Sequence, residues 1–427
     1  MSSPSTDFSD QPWKSPTMSQ QPEPQAVAKE LLSWIGFELI SCNTLQTLWA
    51  GYGHICALRS RPQPSAQPAQ TTRATHSLIL KLVSPPRGRK DEGHLRKVLS
   101  YQVEQHFYDH VAPTLHALPL AECLVSTSKF PHKAAAAGLQ HVTASVLTDL
   151  RLDYPVAGEK RTALSPRQVH AALGWLSRFH GSYWTSPRPD AQSLILPPLE
   201  ESKARQQQPG NSSTRRGLWL NGGYTYLATR RSEYNALAQD GGSEWSQTFC
   251  QAVEGTAMSV AELAAFFLTP TGRDFETYLH GDVKSENLFS TESGDEVAFF
   301  DFQYTGLGLG VCDLAKLFTC SVPVEMLTAS AGETRLLTMG AGERHLLLQY
   351  RRELLQGEGV IHAPVYDWIE FQRHWETALV DWCRFQASWG FWGNTTWLQA
   401  RVRSILHEGE WLQWIKNARR CGLEKSR

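Results

Sequence analysis

The sequence predicts an α+β chain built as two lobes, a small β-rich lobe followed by a larger, mainly helical one. Three observations carry this. Short apolar runs bounded by Gly, Pro and polar clusters crowd the first 150 residues, near 47–59, 77–83, 122–129 and 141–147. From Ser165-Pro166 onward, apolar residues recur mostly at helical spacing. A length of 427 residues exceeds one compact core and suits two. The expected boundaries are a tail over 1–25, a small lobe over 26–150 and a large lobe over 151–427.

The Ser-, Pro- and Gln-rich tail reads as disordered. A helix is expected over Ala26–Ile35, with Trp34-Ile35-Gly36-Phe37 capping the small lobe. Leu48 to Ile55 reads as strand, tight glycine turn, strand. Gly51, Tyr52 and Gly53 would let backbone N–H groups approach phosphates, although Gly-x-Gly alone fits a plain hairpin equally well. Arg61 to Pro68 is a polar hairpin tip, expected to be mobile and deletable. Leu78 to Val83 then buries a lysine, Lys81, in an apolar strand. That is costly unless the charge is paired or ligated. Lys81 therefore reads as a contact to nucleotide phosphates. Its expected partner is Glu104 on a helix near 92–109, with Glu92, in a Gly- and Lys-rich loop, a weaker rival.

The chemistry concentrates in residues 279–303, Leu-His-Gly-Asp-Val-Lys-Ser-Glu-Asn-Leu-Phe, a turn, then Phe-Phe-Asp-Phe-Gln. Phosphoryl transfer from ATP uses an aspartate to accept the proton of the attacking hydroxyl. It also uses an asparagine and a second aspartate to hold magnesium against the phosphates. Asp282, Asn287 and Asp301 stand in that order and spacing. Lys284 reads as stabilising the charge of the transferring group.

These segments, with Ser100 to Tyr108, Val146 to Leu150 and Ala172 to His180, resemble the aminoglycoside phosphotransferase and choline kinase superfamily. More narrowly, they resemble its ecdysteroid-kinase-like branch, over about residues 40–320. The resemblance implies a two-lobed protein-kinase-like fold that uses ATP and Mg2+ to phosphorylate a hydroxyl on a small molecule. It implies Asp282 as base, Asn287 and Asp301 as metal ligands, and Lys81 with Glu104 as nucleotide clamp. Leu147 and Asp149 would lie in a hinge whose backbone meets adenine. Asp313 matches an aspartate that braces the catalytic loop, though it could equally cap the helix that follows. His180 is expected to be structural.

Protein substrates fit less well. Position 281 is Gly rather than Arg, no Ala-Pro-Glu follows Asp301, and Asp313 opens a helix twelve residues after Asp301. That leaves little chain for a peptide shelf. A catalytically weak nucleotide-binding scaffold is the other alternative, favoured by Gln303 where a glycine is usual.

Ser202 to Arg216 reads as a flexible loop, and 218–240 and 245–268 as helices. In the mostly helical C-terminal third, Trp368, Trp375, Trp382 and Trp389 recur every seven residues and share one slowly rotating face. They form either a core stripe or, in part, the wall of an acceptor pocket, where Glu376 and Asp381 would suit a cationic acceptor. Sterols, amino alcohols and sugars all remain open as acceptors. The net charge of −1 gives no field for nucleic acid, and no apolar run of eighteen predicts a membrane span. Eight cysteines without Cys-x-x-Cys spacing suit a reducing cytoplasm.

Overall fold

A computed structural model describes residues 22–48, 51–63, 74–86, 91–116, 118–185, 189–207, 217–329, 334–357 and 365–425. Residues 1–21 of the tail expected over 1–25, the tip of the 61–68 hairpin and residues 208–216 lie outside them.

The small lobe runs α1 (Pro24–Ser33), β1 (Phe37–Thr47), β2 (Gly53–Pro62), β3 (His76–Val83), α2 (Glu92–His106), β4 (Cys123–Ser126), α3 (Pro131–Ala136) and β5 (Thr143–Thr148). Its strands form one antiparallel sheet in the order β1-β2-β3-β5-β4. Alternation sets the sheet's inner face. Leu78, Leu80 and Leu82 of β3 are buried, and Val27, Leu31 and Leu32 of α1 pack beneath with Cys56 and Val146.

α1 begins two residues before the expected start. Pro24 takes the first helical position, where its missing N–H costs nothing, and Glu23 caps the Ala26 N–H at 3.1 Å. β1 occupies 37–47, where the sequence suggested only a capping segment. It is an edge strand whose second half is exposed, so it shows no apolar alternation. Glu92 opens α2 rather than sitting in a loop.

The large lobe adds β6 (Val156–Ala157), α4 (Pro166–Thr185), α5 (Pro198–Gln207), α6 (Arg231–Gln239), α7 (Glu244–Cys250), α8 (Val260–Leu268), β7 (Glu276–Leu279), β8 (Leu288–Ser290), β9 (Val297–Phe299) and β10 (Gly306–Leu309). The chain ends in α9 (Val311–Cys320), α10 (Ala341–Gln356), α11 (Trp368–Trp389), α12 (Thr395–His407) and α13 (Glu410–Lys425). Two small sheets, β10-β7 and β6-β8-β9, carry the loops of the site.

α4 starts where Ser165-Pro166 predicts, with Ser165 and Gln168 exchanging side-chain bonds to backbone N–H groups at 2.9 and 3.3 Å. Two expectations fail here. Residues 202–207 are not loop but the end of α5, held by an Arg205–Glu201 pair at 2.7 Å. Residues 218–230 are not α-helical. Trp219 bridges Ile195 and Gly306 in extended pairing, and Gly222 packs so closely that a Cβ would lie 2.9 Å from that of Leu279.

The lobes share one seam of aromatic rings. Phe302, fully buried, stacks on Phe107 just beyond α2 at 4.0 Å and meets Trp175 and Phe179 of α4. Burying such a ring stabilises by about 2–3 kcal/mol, and this one fixes α2 to the turn after β9.

Candidate active site

Asp282 follows β7 on a turn that demands glycine. Gly281 has φ +83°, and a Cβ there would meet the Tyr304 carbonyl oxygen at 2.3 Å and the Gly223 nitrogen at 2.7 Å. The turn is held from outside. Asp313, in the first turn of α9, accepts the N–H groups of His280 at 2.7 Å and Gly281 at 3.0 Å. It does not cap its own helix, whose cap position is Gly310.

His180 of α4 donates Nε2–H to Asp313 at 3.2 Å, and the Tyr350 hydroxyl stands 2.6 Å from its Nδ1. His180 is thus a brace, as expected. Burial alone would raise the Asp313 pKa, but the bond from His180 and the charges nearby bring it below the usual carboxylate value. Burial lowers the pKa of His280. Its Nδ1 accepts the Asp282 N–H at 3.2 Å and its Nε2 donates to the Phe300 carbonyl at 3.0 Å.

A 3-10 turn over Ser285–Asn287 brings Asn287 back to the aspartate. Its amide nitrogen donates to the Asp282 carbonyl at 2.8 Å and to Oδ2 at 3.0 Å, leaving the amide oxygen for a cation. Phe300 N–H donates to the Asn287 carbonyl at 3.0 Å, so Asn287 and Asp301 leave paired ends of β8 and β9. Asp301 sits in the left-handed region, φ 67° and ψ 57°. Its Oδ1 accepts Lys81 Nζ at 2.8 Å and the Gln303 amide, and Gln303 accepts the Ser100 hydroxyl of α2 at 3.2 Å. Gln303 therefore orients Asp301.

Lys81 also stands 2.6 Å from Glu104. Burial works against its ammonium, yet Asp301 and Glu104 together outweigh that and raise its pKa. Burial pushes Glu104 up to about 7, whereas Asp301, bound by Lys81, ends below its ordinary value despite burial.

Among the described residues no group of three His, Cys, Asp or Glu side chains could hold a metal unaided. One amide oxygen and one carboxylate nevertheless fit magnesium, which keeps waters and takes substrate phosphates as its remaining ligands.

The other expected nucleotide residues divide. Gly51 has φ +71° and Gly53 +149°, and a Cβ on Gly53 would lie 1.9 Å from the Leu82 carbonyl oxygen. The Gly53 geometry thus serves close strand approach. Tyr52 is buried with Leu48, Val83 and Tyr101, so its side chain belongs to the core and only its backbone is left for phosphates. Leu147 of β5 lines a small cavity with Lys81 and Glu104. Asp149 caps the turn over 150–152 and is gripped by Arg151 at 2.8 and 2.7 Å.

Asp282 also lines an open cavity of about 260 Å3. Lys284 lines it, 3.2 Å from Asp282 and 3.1 Å from Glu286. Its aromatic wall is Tyr224, Trp382, Trp389 and Trp392. The tryptophan stripe of α11 thus splits. Trp375 is fully buried core, while Trp382 and the half-exposed Trp389 face this cavity. Glu376 and Asp381 do not line it; they are engaged by Arg373 at 2.8 Å and Arg384 at 2.7 Å.

Sequence reasoning missed Tyr224, Trp392 and Lys316, which also lines the cavity. A signal for Lys316 was there. It interrupts the apolar run of α9 as Lys81 interrupts β3.

The sequence model of the ecdysteroid kinase-like family matches residues 64–334, more than half the chain. The chain belongs to the ecdysteroid kinase-like family. The turn carrying Asp282, both candidate metal ligands, Lys81 and Lys316 all fall within the matched span. The glycine turn and the tryptophan wall lie outside it. No curated protein matches this ecdysteroid kinase-like chain.

Solved structures resemble it distantly. Macrolide 2'-phosphotransferase MphH from Brachybacterium faecium is 13% identical with a TM-score of 0.40, over 89% of this chain and 97% of that one. Choline kinase LicA from Streptococcus pneumoniae is 13% identical with a TM-score of 0.36, over 89% and 96%. An ethanolamine kinase from Plasmodium vivax is 11% identical with a TM-score of 0.37, over 86% and 82%. At these levels the three carry nothing about which acceptor an ecdysteroid kinase-like chain takes. Among the described residues, no helix is long and apolar enough to cross a membrane.

Proposed function

We propose that this chain is an ATP- and magnesium-dependent kinase of a small-molecule alcohol, acting by direct in-line transfer. The observation that carries the reading is the position of Asp282. It lines the open, aromatic-walled cavity, and its partner Asn287 pairs through its backbone with Phe300, next to the Asp301 that binds Lys81.

Asp282, tied in place by Asn287 and by the braced turn, accepts a hydrogen bond from the acceptor hydroxyl and takes its proton as the new bond to phosphorus forms. Lys81 binds the nucleotide phosphates, while Glu104 and Asp301 fix its position. Lys284 offsets charge on the transferring group. Asn287 and Asp301 would hold magnesium, which neutralises phosphate charge when bound. The aromatic wall takes the acceptor's body. The backbone of Gly51 to Gly53 covers the phosphates, and the segment from Leu147 to Asp149 meets the base. The reading needs no nucleic acid and no membrane span, and a cytoplasmic location suits the chain's free thiols.

The reading against a protein substrate is supported by the short path from Asp301 to α9. That path is a 3-10 turn and β10, paired to β7, with no room for a peptide shelf.

The test uses ATP carrying a heavy isotope in its γ-phosphate, incubated with the protein, magnesium and a metabolite extract, with Asp282→Ala as control. A labelled small-molecule ester absent from the control is expected and names the acceptor. Label confined to protein would replace this reading with a protein kinase. No label with intact nucleotide binding would favour a scaffold.

A further inference from the structure

Lys316 has a buried ammonium that forms no ion pair among the described residues. It enters the cavity from α9 at 6% exposure, hydrogen-bonds the Gly281 carbonyl, and lies over the rings of Tyr224 at 5.1 Å and Trp382 at 5.7 Å. Among the described residues, no carboxylate is within ion-pair distance of it. Asp313 and Asp282 act on it only at longer range, and burial lowers its pKa. An ammonium has three donors, and among the described residues the Gly281 carbonyl is the acceptor it meets. Leaving the rest unanswered in a buried site is costly.

The remaining charges point the same way. The two carboxylates that line the cavity, Asp282 and Glu286, are both engaged by Lys284. Two more cations, Lys160 and Arg161, are exposed along the same lining. A cationic acceptor would meet like charge without a free carboxylate. An anionic one would find an ammonium already dehydrated and oriented.

We propose that the acceptor is an anionic alcohol, a carboxylate or similar oxyanion on an aromatic or fused-ring body, and that Lys316 is the residue that binds its charge. This rests on reading the cavity as the acceptor site of a small-molecule kinase. Trp382 and Trp389 take the ring body, and Asp282 meets the hydroxyl.

Three matched probes test it: hydroxymethyl-naphthoate, its methyl ester, and hydroxymethyl-naphthylmethylamine. Each is titrated calorimetrically into the full chain saturated with MgADP. The carboxylate should bind at least about tenfold tighter than the ester, a ratio typical of one charge-assisted contact, and the amine weakest. Lys316→Met should bring the carboxylate down to the ester, and Lys316→Arg should keep the preference. Carboxylate binding no better than ester binding in the wild type, including no binding of either, overturns the proposal and needs no variant. So does a Lys316→Met protein that loses MgADP rather than the carboxylate, because Lys316 then serves the nucleotide. Turnover with ATP is read separately. Preferential binding without transfer sinks the kinase reading alone, and equal transfer to all three probes sinks the anion site alone.

Discussion

Lys81 and Asp301 stand 220 residues apart in the chain and 2.8 Å apart in space. This contact joins the small-lobe sheet to the end of β9, and Glu104 shares the same ammonium at 2.6 Å. The proposed nucleotide cluster is therefore also part of what holds the lobes in register.

Lys81→Met should expose both roles at once. It leaves the buried Glu104 and the partly exposed Asp301 carboxylate without their shared cation. Affinity for a MgATP analogue should fall at least about a hundredfold, and denaturant unfolding should show a loss of about 3 kcal/mol. Glu104→Gln, which can still accept a hydrogen bond, should lose less of each. Unchanged nucleotide affinity in Lys81→Met would remove Lys81 from the site.

Asp282→Asn keeps the shape of the catalytic side chain and removes its ability to take a proton. Turnover should drop by about 10²–10⁴ while MgADP affinity stays within a few fold. Retention of wild-type turnover would assign the base elsewhere.

Asp313→Asn tests the brace. An amide has only one oxygen for the two N–H donors of His280 and Gly281, and its NH2 would face one of them. A stability loss of about 2 kcal/mol is expected from that unmet donor, with turnover lowered and nucleotide affinity little changed. A variant as stable and active as wild type would show that the turn holds itself.

Acid sensitivity should trace partly to His374. Burial brings its pKa down to about 3 from an ordinary 6.5, with Arg273 adding to the shift. The folded state therefore refuses a proton that the unfolded chain binds below pH 6.5. Stability from this residue is whole above pH 6.5 and declines as pH falls toward 3, by about 2 kcal/mol at pH 5. His280 shifts in the same direction. Unfolding curves from pH 7 to 5 should be flatter in His374→Gln than in wild type. Parallel curves would contradict the assignment.

The proposed reactive centre was legible because its residues are local. His280 to Asn287 and Asp301 form one loop and one short hairpin, so their spacing along the chain nearly fixes their spacing in space. Lys81 was legible because a charge in a buried strand needs an explanation. The cavity proposed for the acceptor was not, because its wall comes from the Lys160–Arg161 loop, Tyr224, α9 and α11, and no local pattern brings these together. The segment over 218–230 was misread as helix because its apolar residues suit either structure. Gly222 and Gly223, which allow its close packing beside β10, were the signal against helix. β1 escaped because an exposed edge strand buries too little to alternate.

The left-handed backbone at Asp301 limits how that position can be probed. Apart from glycine, only asparagine and aspartate occupy such a conformation readily. An alanine scan would report two effects as one, the lost carboxylate and a twisted peptide costing about 1 kcal/mol or more. Asparagine accepts the same handedness, so it alone isolates the charge. Any survey of damaging variants that ranks residues by alanine scores will overstate the chemical importance of Asp301 relative to Asp282, whose backbone is ordinary.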